Sequence, residues 1–74
     1  MRLSSQDLYL KAFGNNLRRI RKEQNFTMEN LAYQTEIEYR QIGRIERGET
    51  NTTILSLLRI SQVLKIEMNL FFVF

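Results

Sequence analysis

The sequence contains no cysteine, no histidine and no proline. Without cysteine the chain has no disulfide, no thiolate metal site and no cysteine nucleophile. Without histidine it lacks the commonest acid/base group and the commonest metal ligand, so a zinc finger and a histidine-based catalytic centre are both excluded. The absence of proline suits a chain that is almost entirely helical, because proline interrupts a helix interior.

Other absences bear on membranes and catalysis. No apolar run is long enough to span a bilayer, and the N-terminus lacks the apolar segment of a signal peptide. We therefore expect a cytoplasmic protein without a membrane partner. No pair of carboxylates lies in an evident cleft, and a helical core of this size offers little pocket. We expect no enzymatic activity, no cofactor, no metal and no small-molecule ligand.

Length and charge set broader limits. A chain of 74 residues with 43% hydrophobic residues corresponds to one small domain with a single core. We expect that domain to span residues 1–74. The net charge of +3 by itself only weakly favours an anionic partner. The distribution of basic residues is more informative, because arginines cluster late in the first predicted helix and again near residues 40–47.

The apolar periodicity predicts five helices and an all-α fold. The first helix is expected over about residues 6–24, with Leu10, Phe13, Leu17 and Ile20 on one buried stripe. We expect Asn25 to end this helix in the left-handed conformation. The second helix begins after Thr27, a good N-cap. The third covers about residues 39–47, and the fourth begins near residue 53.

The last two helices complete the predicted core. The residues of the fourth helix expected to face inward are Ile54, Leu57, Ile60, Ser61 and Leu64. A fifth short helix is expected within residues 68–72, although EMNLFFVF also fits a strand.

Residues 27–48, TMENLAYQTEIEYRQIGRIERG, have the form of two short helices joined by a tight turn. Leu31 and Ala32 face inward, and the small Ala32 allows the second helix to cross closely. Ile37 and Ile42 have the spacing of a hydrophobic staple at the start of that helix. The positions left facing outward are Glu38, Tyr39, Arg40, Gln41, Gly43 and Arg44. This pattern is typical of a helix-turn-helix that reads DNA.

At these residues the chain resembles the Cro/repressor family of bacterial and phage DNA-binding domains. The resemblance continues through IGRIERGETNTTILSLLRISQVLKI and covers about residues 13–72. It implies a compact five-helix, lambda-repressor-like domain in which helices 2 and 3 form the helix-turn-helix. The chain departs from the family pattern at three positions. Glu36 stands where the family usually has Gly, Met28 where it has Gln, and Thr52 where it often has Pro.

The motif and the resemblance together predict the DNA contacts. Two arginines four residues apart on one helix face favour at least one contact to guanine, against the alternative of a solvated helix face. Tyr39 either contacts a base or packs partly against the rest of the domain. Glu38 either caps the third helix or accepts a hydrogen bond from cytosine. The predicted base-reading residues are Tyr39, Arg40, Gly43 and Arg44. The predicted phosphate-contacting residues are Thr27, Gln41, Arg47, Asn51, Thr52 and Thr53. The alternative for Asn51, Thr52 and Thr53 is that they only cap the fourth helix.

Two further sets of residues are assigned to structure and assembly. By resemblance, Arg21 and Glu46 form an ion pair that ties helix 1 to the end of helix 3. The C-terminal segment, residues 66–74, is too apolar for a solvated tail, so we expect it to form a homodimer interface. The residues expected in that interface are Leu55, Met68, Leu70, Phe71, Phe72 and Phe74.

The function that follows is a sequence-specific regulator of transcription that binds double-stranded DNA as a homodimer on a palindromic operator. The alternative is a module of the same fold, such as an antitoxin or adaptor, whose main partner is another protein.

Overall fold

The computed structural model describes residues 4–74 and contains four α-helices followed by one 3₁₀ helix within that range. The elements are α1 (Ser5–Glu23), α2 (Met28–Thr35), α3 (Tyr39–Glu46), α4 (Ile54–Leu64) and the C-terminal 3₁₀ helix (Met68–Phe72). The predicted all-α class is confirmed. The fifth element is a 3₁₀ helix, and the alternative of a strand at this place is wrong. No helix within residues 4–74 has the length and apolarity needed to cross a membrane. Residues 1–3 of the predicted domain lie outside the described residues.

Local side-chain and backbone chemistry sets the helix ends. Ser4 and Asp7 form a reciprocal capping box at the start of α1. The hydroxyl of Thr27 accepts from the backbone N–H of Asn30 at 3.0 Å, so the predicted cap of α2 is present. Asn25 has φ 63°, which is the left-handed stop expected after α1. The helix boundaries therefore follow residue types that are visible in the sequence.

The core is shared by all four α-helices and the 3₁₀ helix. Its buried apolar residues are Phe13, Leu17, Ile20, Leu31, Ala32, Ile37, Ile42, Ile45, Leu57, Ile60, Leu64 and Phe71. Ile54 was predicted to face this core, but it is 75% exposed. The prediction is wrong because Ile54 occupies the first position of α4, where no element within residues 4–74 covers it. Leu55 beside it is exposed as well.

Two glycines allow α1 and the end of α3 to pack backbone against backbone. A Cβ atom on Gly14 would lie 2.5 Å from the carbonyl oxygen of Ile45 and against the carbonyl oxygen of Glu46. A Cβ atom on Gly48, which has φ 71°, would lie 2.6 Å from Cα of Lys11. Contacts this short leave no room for a side chain. The end of α3 therefore lies closer to α1 than any residue with a Cβ atom at these two positions would allow.

The C-terminal 3₁₀ helix is anchored to α1 through Asn16. The Asn16 amide is buried and donates to the carbonyl oxygens of Leu70 at 3.0 Å and of Phe71 at 2.9 Å. Its Oδ1 accepts from Arg19 at 2.7 Å. Phe71 has an exposed fraction of 0% and packs edge-on against Phe13. Phe71 was predicted to lie in a dimer interface, and this is wrong because its ring belongs to the core of the single chain.

Gly14 and Gly43 both lie inside helices, but replacing each by alanine should change stability in opposite directions. Gly14→Ala forces a methyl group onto backbone carbonyls and should destabilise the fold by about 1–3 kcal/mol. At Gly43 a Cβ atom would meet only side-chain ends, at 2.9 Å for Arg47 and 3.1 Å for Met28. Gly43→Ala should therefore keep stability or raise it by up to ~1 kcal/mol, because alanine favours a helix interior over glycine. Urea unfolding followed by circular dichroism measures both changes. A Gly14→Ala variant as stable as the parent would contradict the close packing of α1 on α3.

Candidate DNA-binding surface

A buried ion pair joins α1 to the last residue of α3. Nε of Arg21 donates to Oε2 of Glu46 at 2.6 Å, and its Nη2 donates to Oε1 at 3.0 Å. The side chains are 7% and 4% exposed. The third donor, Nη1, reaches the carbonyl oxygen of Phe26 in the connection before α2, at 2.8 Å. The Arg21 guanidinium therefore holds three parts of the chain together, and the orientation of α3 depends on it.

The turn between α2 and α3 is stabilised by one threonine. The hydroxyl of Thr35 donates to the carbonyl oxygen of Leu31 at 2.7 Å, and it accepts from the backbone N–H of Ile37 at 3.3 Å. Glu36 has φ 60°, the left-handed conformation for which the family uses glycine. Ile37 and Ile42 are both buried, as expected of a hydrophobic staple. Thr35 was not singled out from the sequence, because its role depends on a buried helix end.

Three of the four predicted base-reading residues, Tyr39, Arg40 and Arg44, lie on the solvent-exposed side of α3. Arg40 and Arg44 are exposed, and Tyr39 is 52% exposed. Arg40, Gln41 and Arg44 line one shallow groove together with Ile37 and Glu38. The structure therefore brings the two arginines and Gln41 to one surface. The opposite side of α3 is apolar and buried, because it carries Ile42 and Ile45. Only the polar side of the helix is therefore available to a ligand.

Glu38 occupies the N-cap position of α3 but its side chain makes no capping hydrogen bond. Glu38 therefore stands at the N-cap position, as interpreted from the sequence. The expectation that its side chain caps the helix is wrong. The carboxylate is exposed beside the arginines of the groove.

Gly43 was predicted to face outward, and this placement is wrong. Gly43 is buried, because the ends of the Arg47 and Met28 side chains fold over it. Met28 packs partly against the core. Where the family pattern has Gln, this chain thus has an apolar contact between the start of α2 and the middle of α3. The backbone of Gly43 is covered by these side chains, so it is not available for contact with bases.

Arg47, predicted to contact phosphate, is engaged by a carboxylate of its own chain. Its Nε donates to Oε2 of Glu49 at 2.9 Å and its Nη2 donates to Oε1 at 3.2 Å. The hydrogen bond from Arg47 lowers the pKa of Glu49, and the same bond raises the pKa of Arg47. Both groups therefore remain charged at neutral pH. A phosphate that approaches Arg47 must compete with Glu49.

The remaining predicted phosphate contacts lie at the starts of α2 and α4. The hydroxyl of Thr53 accepts from the backbone N–H of Ser56 at 3.1 Å and so caps α4, as Thr27 caps α2. Asn51 is exposed in the loop between α3 and α4, and Thr52 is half-buried there. The structure places these polar groups at two helix N-termini, where the helix dipole favours an anion.

A separate apolar patch surrounds the C-terminus, and we name it the C-terminal patch. The ring of Phe74 packs edge-on against Tyr9 with centroids 5.2 Å apart, and the ring of Phe72 lies 5.2 Å from that of Phe13. Its exposed apolar residues are Tyr9, Leu70, Phe72, Val73 and Phe74. Met68, predicted in the interface, is half-buried against the core. The contribution of α1 to this patch was not foreseen, because it depends on the C-terminal segment folding back onto that helix.

Comparison with known proteins agrees with the fold. Residues 17–71 match the helix-turn-helix family HTH_3. The restriction-modification controller protein C.AhdI from Aeromonas hydrophila is 30% identical, with a TM-score of 0.83 over 85% of this chain and 96% of that chain. An HTH_3 family transcriptional regulator from Vibrio cholerae is 28% identical, with a TM-score of 0.84 over 92% of this chain and 38% of that chain. A search of curated proteins finds no significant match.

The fold and the basic surface of α3 define a helix-turn-helix domain. The chain belongs to the HTH_3 helix-turn-helix family, and the resemblance noted from the sequence is confirmed. It is a DNA-binding transcriptional regulator and not an enzyme.

The Arg21–Glu46 pair predicts a large effect of removing one charge. Arg21→Met should destabilise the fold by about 3–5 kcal/mol, because Glu46 is left buried and uncompensated. Changing both residues to methionine should cost less than the single change, since neither charge then remains. Urea unfolding measures the free energy of unfolding of the parent, of the single variant and of the double variant.

The matched control is the exposed pair of Arg19 with Glu23, whose atoms lie 2.9 Å apart. Glu23→Gln should cost less than ~1 kcal/mol, since exposed pairs contribute little. Equal costs for Arg21→Met and Glu23→Gln would contradict the assigned role of the buried pair.

Proposed function

We propose that the protein binds a palindromic operator in duplex DNA as a homodimer and reads its sequence through α3. The observation that carries this proposal is the position of Arg40 and Arg44. Both are exposed on the outer side of a helix whose inner side is buried and whose end is fixed to α1 by Arg21 and Glu46. A rigidly held helix with basic residues on its free face fits the major groove of DNA.

Each residue of this surface has a role in the proposal. Arg44 and Arg40 donate to guanine O6 and N7 or to a neighbouring phosphate, and Tyr39 contacts a thymine methyl group or a phosphate. Polar groups on either side of α3 hold the phosphates and set the docking angle. These groups are Thr27, Gln41, Arg47, Asn51, Thr52 and Thr53.

The C-terminal patch supports dimer formation. Its aromatic and aliphatic side chains remain exposed after the core of the single chain is complete, and an exposed apolar cluster of this kind marks an interaction site. Phe72, Phe74 and Leu70 lie in this patch, and Leu55 on α4 is exposed too. A two-fold dimer places two recognition helices about 34–36 Å apart, which is one turn of DNA.

The alternative, a module that binds only another protein, has less support. It would need no exposed arginines on α3, whereas Arg40 and Arg44 are both exposed. Similarity to a transcriptional regulator and to a restriction-modification controller also favours the DNA-binding function.

Arg44→Ala should weaken binding to the preferred duplex by about 1–3 kcal/mol and relax the preference at one base position. The reason is the loss of a bidentate contact to one guanine. Fluorescence anisotropy with duplexes that carry each single base change measures both effects. Arg59→Ala, which removes an exposed arginine from α4, is the matched control and should leave the preference unchanged. An equal loss of affinity for all sequences would make Arg44 a phosphate contact.

Replacing both Val73 and Phe74 by serine should convert the dimer into monomers and lower operator affinity, while the helical fold is kept. Both side chains are exposed and neither belongs to the buried core. Sedimentation equilibrium measures the mass, and circular dichroism measures the fold.

Phe71→Ala is the contrasting variant. It should destabilise the chain by about 3–5 kcal/mol, because it opens a cavity in the core. A Val73/Phe74 variant that remains dimeric would refute the C-terminal interface.

A further inference from the structure

A second groove lies beside α3 and has α1 as one wall. Lys11, Asn15 and Arg18 of α1 line one side of it. The other side is lined by Met28, Gly43, Glu46, Arg47 and Glu49. None of the three α1 residues belongs to the helix-turn-helix, and none was among the predicted DNA contacts.

The α1 wall is a continuous basic and polar stripe. Lys11, Asn15 and Arg18 follow one another at spacings of four and three residues, so they share one face of the helix. All three are exposed. The stripe continues to Lys22, which lines an adjoining depression together with Asn15 and Arg18. From Lys11 to Lys22 the helix rises by about 16 Å at 1.5 Å per residue.

The charges of the groove favour an anion. Its two carboxylates already have partners, since Glu46 accepts from Arg21 and Glu49 accepts from Arg47. Lys11 and Arg18 have no ion-pair partner within residues 4–74. Two cations that form no direct ion pair therefore face the groove, although Asp7 and Glu49 lie near enough to Lys11 to act on it electrostatically.

The groove also adjoins the surface that meets DNA in the proposed function. Gly43 and Arg47 line the groove, while Arg44, between them in sequence, points outward on α3. Met28, the first residue of α2, lines it too. A duplex docked on α3 would bring the backbone of one strand alongside this end of α2 and the stripe of α1.

We propose that the groove between α1 and α3 binds the sugar–phosphate backbone of duplex DNA next to the bases read by α3. Lys11 and Arg18 supply the charges, and the Asn15 amide donates to a phosphate oxygen. This inference rests on the proposed function and extends the interface from the helix-turn-helix to the first helix. The phosphates of one strand recur every 3.4 Å or so along the duplex axis, so a stripe of about 16 Å can lie beside more than one of them.

The test is the salt dependence of binding to the preferred duplex. Each phosphate contact contributes about 0.9 to the slope of log K against log salt concentration. A variant with both Lys11→Gln and Arg18→Gln should therefore have a slope smaller in magnitude by about 1.8, with an unchanged order of preference among sequences. The matched control carries Arg59→Gln and Lys65→Gln, which remove two exposed cations from α4 and its end. The control should keep the parental slope.

The outcomes separate this inference from the function on which it rests. If the parent protein binds its site specifically and the α1 variant has the parental slope, the groove does not hold DNA. If the slope falls equally in the control, the loss of net charge alone explains the effect. That result would also overturn the inference. A parent protein that shows no preference among duplexes would overturn the proposed function itself. Circular dichroism of both variants verifies that the helices are intact.

Discussion

The buried pair of Arg21 and Glu46 is the interaction on which the DNA-binding surface depends. Glu46 is the last residue of α3, and Arg21 reaches it from α1 while also donating to the carbonyl oxygen of Phe26. The backbones of α1 and α3 can approach closely enough for this contact only because residues 14 and 48 are glycines. The pair and the glycines together fix the angle at which α3 leaves the domain.

The outer surface follows from that anchoring. With Ile42 and Ile45 held inward, the exposed positions of α3 are set, and they include Arg40 and Arg44. The middle of the helix differs from its start, because Met28 and Arg47 cover Gly43. In the proposed function, the exposed Arg40 and Arg44 contact bases and Arg47 contacts the backbone of DNA.

Much of the fold could be predicted from the sequence because its signals are local. The caps at Thr27 and Thr53 and the left-handed Asn25 follow from residue type, and the structure has all three. The apolar spacing placed most of the core residues correctly for the same reason. The Arg21–Glu46 pair was predicted by resemblance alone, since nothing local connects residues 25 positions apart.

The errors have a different origin, because they concern contacts between distant segments. Phe71 and Ile54 are similar in apolarity, and only packing decides that the first is buried and the second exposed. Gly43 is buried by the side chain of Met28 from another helix. Asn16 was missed, although its place on the apolar stripe between Phe13 and Ile20 is a detectable signal. A polar residue on such a stripe needs buried partners, and here these are the carbonyl oxygens of Leu70 and Phe71.

Selection of binding sites from random duplex DNA, with the purified protein near physiological salt, tests the proposed function most directly. We expect a palindromic consensus whose half-sites are separated by about one helical turn, because two α3 helices of a symmetric dimer enter successive major grooves. Weak binding without sequence preference that disappears as salt is raised would contradict it. In that case the arginines of α3 would contribute only non-specific attraction to phosphates.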